Sequence, residues 1–149
     1  MKPEIKHEET TNKRAAKPHR APDDGKSLVA AKRAVEAALE KKGLEPVLID
    51  VRDMASYTDY ILIVSGRSDR QVQAISEAIQ KSFAKEAVIG TEGVGHGQWT
   101  LLDFGDVIAH VFYHPMRDYY DLEGLWIDAP RVPLQLPPEA RVSAEEQYG

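Results

Sequence analysis

The chain of 149 residues contains no cysteine. Disulfide bonds, thiolate metal sites and cysteine nucleophiles are therefore excluded, and the composition fits a reducing compartment. Aromatic residues are scarce, at 7%, and no apolar run approaches the roughly 20 residues that a transmembrane helix needs. We therefore do not expect a membrane protein.

Excess positive charge is also lacking, because the formal net charge is -5. Binding along a phosphate backbone needs clustered lysine and arginine, so no direct sequence-specific nucleic-acid binding is expected. The negative charge is instead compatible with docking onto a basic protein. The length and the ordinary apolar fraction of 42% predict one soluble globular domain.

The two ends of the chain differ in composition from the middle. Residues 1–25 hold three prolines, many charges and Ile5 as their one large aliphatic residue beyond the initiator methionine, which predicts a disordered extension. Residues 129–149 are again rich in proline and charge, which predicts a mobile tail. The domain is expected at residues 26–128. The extension has neither the apolar stretch of a secretory signal nor the composition of a transit peptide, which favours a bacterial cytoplasm.

The middle of the chain alternates between helical and extended patterns. Apolar spacings of three and four predict a helix over 27–42 with Gly43 as its C-terminal stop, and Ser68 with Gln71 forms a capping-box pattern that opens a second helix. A short helix is expected over 117–125. Strands are predicted at 46–51, 60–66, 87–90, 98–104 and 107–114, the last two joined at Gly105 and Asp106 as a hairpin. This order predicts an α+β fold, an α/β sandwich with a mixed five-stranded sheet and flanking helices.

Three histidines raise the question of a metal site. His110 and His114 lie four residues apart in a predicted strand, which separates their rings by roughly 13 Å, so they cannot share one ion. His96 lies in a glycine-rich loop without a nearby carboxylate pattern. The sequence therefore predicts neither a metal nor a cofactor.

The turn from Gly66 to Ser68 lies between a strand and a helix, where backbone amides can hold a phosphate. In nucleotidyltransferases such a turn is followed by paired carboxylates that bind two magnesium ions, and these need a spacing of two on a strand. Asp50 and Asp53 are three residues apart and fall on opposite faces. A degenerate nucleotidyltransferase-like enzyme that binds a nucleotide at this turn remains the alternative function, and an RNA-binding module is a third.

The segment DYYDLEGLW, residues 118–126, interleaves aromatic residues with carboxylates. It is too short to bury Tyr119, Tyr120 and Trp126 together with its leucines on one face. Accessible aromatic residues beside Asp121 and Glu123 are typical of protein-binding surfaces.

Three blocks of the sequence resemble the ribosomal silencing factor family, also called the Iojap-like family. They are TDYILIVSGRSDRQVQAISEAI, EGVGHGQWTLLDFGDVIAHVF and RDYYDLEGLW, and the match covers about residues 27–128. The resemblance implies a fold similar to that of nucleotidyltransferases without their catalytic carboxylates.

The same resemblance implies a binding protein and not an enzyme. Family members bind the large ribosomal subunit through universal ribosomal protein number fourteen, block its association with the small subunit and repress translation under nutrient limitation. The residues onto which the family's contacts carry over are Trp99, Tyr120, Asp121 and Leu122, with Glu123 and Trp126 in the same block. A homodimer is also expected from the resemblance.

Overall fold

The computed structural model describes residues 25–83 and 98–142, and the backbone of 88–92. Its helices are α1 (Lys26–Glu40), α2 (Asp69–Ser82), α3 (His114–Tyr120) and α4 (Leu122–Leu125). Its strands are β1 (Leu44–Asp50), β2 (Tyr60–Gly66), β3 (Val88–Glu92), β4 (Trp99–Asp103) and β5 (Val107–Tyr113). The strands form one five-stranded sheet in the order β1-β2-β5-β4-β3. The pairing of β2 with β5 is parallel and the others are antiparallel, so the predicted mixed α+β sheet is confirmed.

Strand β2 divides the interior into two cores, because all of its residues are buried and alternate between the two faces of the sheet. Leu62 and Val64 point into the core beneath α1 and α2, and we call this side the helix face. Ile61 and Ile63 point to the opposite side, into a core that contains Trp99 and Trp126. We call this second side the aromatic face.

Helix α1 packs tightly on the helix face because the residues it buries are small. Ala31, Ala34 and Ala38 are fully buried. The predicted glycine stop lies at Gly43, where a β-carbon would lie 2.9 Å from both the Ala38 carbonyl oxygen and a methyl group of Val64. A side chain at that position would push the end of α1 away from β2.

The predicted capping box at α2 is confirmed in part. The Ser68 hydroxyl accepts a hydrogen bond from the Gln71 amide at 3.1 Å, as a helix cap requires. The Gln71 side chain, however, accepts from the amide of Arg67 and donates to the carbonyls of Lys41 and Lys42. This side chain therefore ties the start of α2 to the residues that follow α1.

The predicted hairpin is confirmed, with β4 and β5 antiparallel on either side of Gly105 in the left-handed conformation, at φ +93°. The strand expected at 87–90 begins at Val88 within the described backbone. Residues 93–97, which include His96 and most of the glycine-rich loop, lie outside the described residues. No helix among the described residues is long and apolar enough to span a membrane.

The expectation of a mobile tail from residue 129 onward is wrong for residues 129–142. The Asp50 amide donates to the Pro130 carbonyl at 2.8 Å, and the Val132 amide donates to the Leu48 carbonyl at 2.8 Å. Residues 130–132 run antiparallel to β1, which is otherwise an edge strand, and the 3-10 turn Pro138–Ala140 follows with Ala140 buried. Prolines are compatible with such one-sided edge pairing. Residues 1–24 and 143–149 lie outside the described residues, so the extension stays a prediction.

Candidate partner-binding surface

The single helix predicted over 117–125 is two short helices that meet at a bend. Asp121 adopts the left-handed conformation at φ +46° and separates α3 from α4. Its carboxylate accepts a hydrogen bond from the Gly124 amide at 3.2 Å and caps α4. A β-carbon on Gly124 would collide with this carboxylate. We call residues 114–128 the elbow, and its bend depends on an aspartate and a glycine at these two positions.

A buried arginine fixes the elbow to the sheet. Arg117 is only 5% exposed. Its Nε donates to Glu123 Oε2 at 2.9 Å, which joins α3 to α4, and its Nη1 donates to Ser65 Oγ at 2.9 Å and to the Leu44 carbonyl at 3.3 Å. A buried charge is tolerated only when it is paired and hydrogen-bonded in this way. Glu123, predicted to contact a partner, is therefore already bonded within the molecule.

Aromatic rings support the elbow from below. The Trp99 ring lies 5.0 Å from the ring of Phe112 and 4.7 Å from that of Tyr120, between ring centroids. The Trp99 indole N–H donates to Nδ1 of the buried His110 at 3.0 Å. His110 is thus a packed, hydrogen-bonded strand residue.

The structure brings the six predicted site residues together at the elbow and the aromatic core beneath it, but it divides them by exposure. Trp99, Leu122 and Trp126 are 4%, 2% and 8% exposed. Tyr120 and Glu123 are partly buried, and Asp121 is exposed. Trp99, Leu122 and Trp126 therefore fill the core of the aromatic face, and their assignment to partner binding stays a prediction.

Three large apolar side chains of the same region are exposed and were not among the predicted site residues. Tyr119 is 45% exposed, Leu125 is 40% exposed and Ile127 is 69% exposed. Helical spacing gives no signal for two of them, since Tyr119 and Leu125 lie three residues on either side of the buried Leu122 and so would share its side of a regular helix.

A cleft of about 220 Å³ lies where α3 meets β1. Its lining residues are Glu45, Val47, His114, Arg117, Asp118 and Glu123. Burial, and secondarily the positive charge of Arg117, lowers the pKa of His114, so its imidazole is neutral at neutral pH. Within the described part of the chain, no group of three or more histidine and carboxylate side chains is arranged to hold a metal ion.

The turn that a phosphate would need is occupied by internal contacts. The Arg67 amide donates to Gln71 Oε1 at 2.6 Å, and the Gln71 amide is bonded to Ser68. Gly66 is explained by packing, because a β-carbon there would lie 3.0 Å from the Val72 amide nitrogen. Asp50, which was considered as one of the paired carboxylates of a nucleotidyltransferase, forms an ion pair with Arg52 at 2.7 Å, and that side-chain hydrogen bond lowers the pKa of Asp50. These contacts do not favour a nucleotide at this turn.

Comparison with known proteins places this chain in a family. The family model described as "Ribosomal silencing factor during starvation" matches residues 24–148, beyond the predicted core of 26–128. The chain is 42% identical over 101 residues to the ribosomal silencing factor of Bacillus subtilis, covering 66% of this chain and 86% of that protein. It is 38% identical over 104 residues to that of Halalkalibacterium halodurans, covering 68% and 89%.

A solved structure agrees with these sequence matches. The crystal structure of a protein from Chromobacterium violaceum superposes with a TM-score of 0.61 at 34% identity, and covers 82% of this chain and 98% of that one. The resemblance seen in the three sequence blocks is thereby confirmed over most of the described fold. The chain belongs to the family of ribosomal silencing factors.

Proposed function

We propose that this protein binds the large ribosomal subunit through universal ribosomal protein number fourteen and represses translation under nutrient limitation. The bound protein prevents the small subunit from associating, because the two would occupy the same space. The family description, which names both the ribosome and starvation, supports this proposal. The action requires binding alone, so the protein is proposed to be a regulator and not an enzyme.

The observation that supports this function best is the construction of the elbow. Two helices of seven and four residues are too short to be stable alone. The Arg117–Glu123 ion pair, the Asp121 cap and the Trp99–Tyr120 contact nevertheless hold them in one arrangement. A surface fixed before binding loses little conformational entropy when a partner docks. Such preorganisation is expected of a protein whose function is to occupy a site.

The charge of the elbow fits a partner on the ribosome. Residues 114–128 contain four carboxylates and one arginine, and that arginine is buried. Asp118, Asp121 and Asp128 are exposed. An acidic surface is repelled by RNA phosphates and attracted by basic proteins. The elbow is therefore suited to a ribosomal protein, which favours this function over RNA binding.

A subunit-joining assay tests the proposed function. Purified large subunits are incubated with the protein before small subunits are added, and ribosome formation is followed by light scattering. We expect ribosome formation to fall as the protein concentration rises, and we expect the protein to sediment with large subunits but not with small ones. Undiminished joining at saturating protein would contradict the proposal. A thermal-shift assay with magnesium and nucleoside triphosphates tests the alternative enzyme, for which a shift is the positive result.

Self-association, which the resemblance implies, is a separate prediction. Sedimentation equilibrium of the free protein determines its oligomeric state. Fractionation of the source cells tests the expected cytoplasmic location.

A further inference from the structure

Resting on the proposed function, we infer that the apolar contact with the large-subunit protein is made by Tyr119, Leu125 and Ile127. The aromatic residues buried beneath them act as supports. Three of the five large hydrophobic side chains found exposed in the described residues fall in this nine-residue segment. The other two, Val29 and Met54, lie elsewhere in the sequence.

The segment presents one side to the sheet and the other to solvent. Leu122 and Trp126 belong to the core of the aromatic face, with Tyr120 packed against it. Leu125 and Ile127 flank the buried Trp126 in the sequence, and the side chains of both are exposed. Tyr119 is exposed at the end of α3 and meets the ring of Tyr120 edge-on at 5.1 Å. Large apolar side chains exposed within so short a segment are typical of an interaction surface.

The occupant is identified by charge complementarity. Asp118 lies beside Tyr119, and Asp128 lies beside Ile127, and both carboxylates are exposed. An apolar centre with acidic groups around it fits a protein face that has an apolar depression bordered by lysine and arginine. The inferred partner is therefore a basic protein of the large subunit, docked by its folded surface. Naked RNA has no such border of positive charge, since its own backbone is negative.

The test compares variants for binding to purified large subunits by biolayer interferometry. The elbow variant combines Tyr119→Ser, Leu125→Ser and Ile127→Ser. The matched control is Val29→Ser, which removes an apolar side chain that is 56% exposed on α1, across the sheet from the elbow. We expect the dissociation constant of the elbow variant to rise about tenfold or more, and that of the control to change less than about twofold.

A charge arm tests the acidic border separately. The double variant Asp118→Asn, Asp128→Asn is expected to associate several-fold more slowly than the wild type at low salt, with the difference shrinking as salt is added. Equal association rates of the double variant and the wild type at low salt would overturn the inference that the partner is basic. Urea unfolding confirms that each variant is folded. If the triple variant is unstable, Ile127→Ser alone takes its place, because that side chain is 69% exposed and supports no core.

The outcomes separate the two proposals. If the wild-type protein fails to bind large subunits, the proposed function falls and this inference falls with it. If the wild type binds and the elbow variant binds equally well, the inference is overturned while the proposed function stands. Loss of binding in the elbow variant together with retention in the Val29 control supports both. Binding of the wild type to naked ribosomal RNA, lost in the elbow variant, would overturn the protein partner.

Discussion

The two faces of the sheet differ in the length of the helices that cover them and in the side chains that fill their cores. The helix face is covered by helices of 15 and 14 residues and filled largely with alanine, valine, leucine and isoleucine. The aromatic face is covered by the shorter helices α3 and α4 and by turns, with Trp99, Phe112 and Trp126 in its core. Long amphipathic helices stabilise a fold chiefly by burying their apolar side. Short ones need caps, ion pairs and rings, and the aromatic face has all three.

This difference implies a division of labour. The helix face supplies stability. The aromatic face holds a surface in place for a partner through the hydrogen bonds and the ion pair of the elbow, which we call its polar locks. Substitutions in the two faces should therefore separate loss of stability from loss of binding. The predictions below run from the largest expected effect to the smallest.

A matched pair of leucines gives the largest effect. Leu62 in the helix face and Leu122 in the aromatic face are 0% and 2% exposed. Leu→Ala at either position creates a cavity and should lower the free energy of unfolding by about 3–5 kcal/mol, as measured in urea. At a temperature where both variants are folded, only Leu122→Ala should weaken binding to large subunits. Equal binding losses would refute the division between the faces.

Removing the buried arginine tests the strongest polar lock. Arg117→Ala leaves Ser65 and Glu123 without their shared donor. The free energy of unfolding should fall by about 2–3 kcal/mol, because two buried acceptors lose their hydrogen bonds. The loss is not larger because the Glu123 carboxylate is partly exposed and can turn to solvent.

The control for this variant is Arg131→Ala. Arg131 approaches the same Glu123 at 3.7 Å, but its side chain is 40% exposed. Its loss should cost no more than about 1 kcal/mol. Similar losses in the two variants would show that burial of Arg117 contributes nothing extra.

The cap at the bend has a smaller effect. Gly124→Ala forces the Asp121 carboxylate away from the Gly124 amide, and should cost about 1–2 kcal/mol of unfolding free energy. Asp121→Asn keeps the acceptor oxygen, and asparagine tolerates the left-handed conformation, so its stability should stay within about 0.5 kcal/mol of the wild type. Urea midpoints of the two variants measure this contrast. Unchanged stability in Gly124→Ala would mean that the cap does not support the bend.

The pH dependence at His114 is the smallest effect. Its pKa lies below the ordinary value of 6.5. Between the folded value and 6.5, the unfolded chain binds more protons than the folded one, so the free energy of unfolding should rise with pH across that window. His114→Asn should flatten this rise in urea titrations. The lowered pKa of Asp50 contributes in acid, at its ordinary value of 3.8 and below. An unchanged slope in the variant would exclude His114 as its source.

Much of the fold could be predicted because local patterns determine helices and strands. The β2 strand was placed at its exact bounds, and Ser68 was identified as the cap of α2. Gly43 and Gly105 were expected at the end of α1 and in the hairpin. Each of these features depends on residues within a few positions of one another, so their signal is present in the sequence itself.

The candidate site was located by sequence but not resolved by it. The pattern of residues 118–126 identified the segment, yet it did not distinguish Trp126, which is buried, from Ile127, which is exposed. Nor did it show that Glu123 is bonded to Arg117, that Asp121 bends the helix, or that residues 130–132 pair with β1. Each of these outcomes depends on partners distant in the chain, such as Ser65 and Leu44 for Arg117.

The sequence by itself determined the order of the elements, the mixed sheet, the family and the segment that forms the elbow. Tertiary structure alone decided which of the aromatic and apolar side chains support the surface and which are presented on it. The physical reason is that periodicity assigns residues to the sides of an element, whereas burial depends on what the rest of the chain packs against each side.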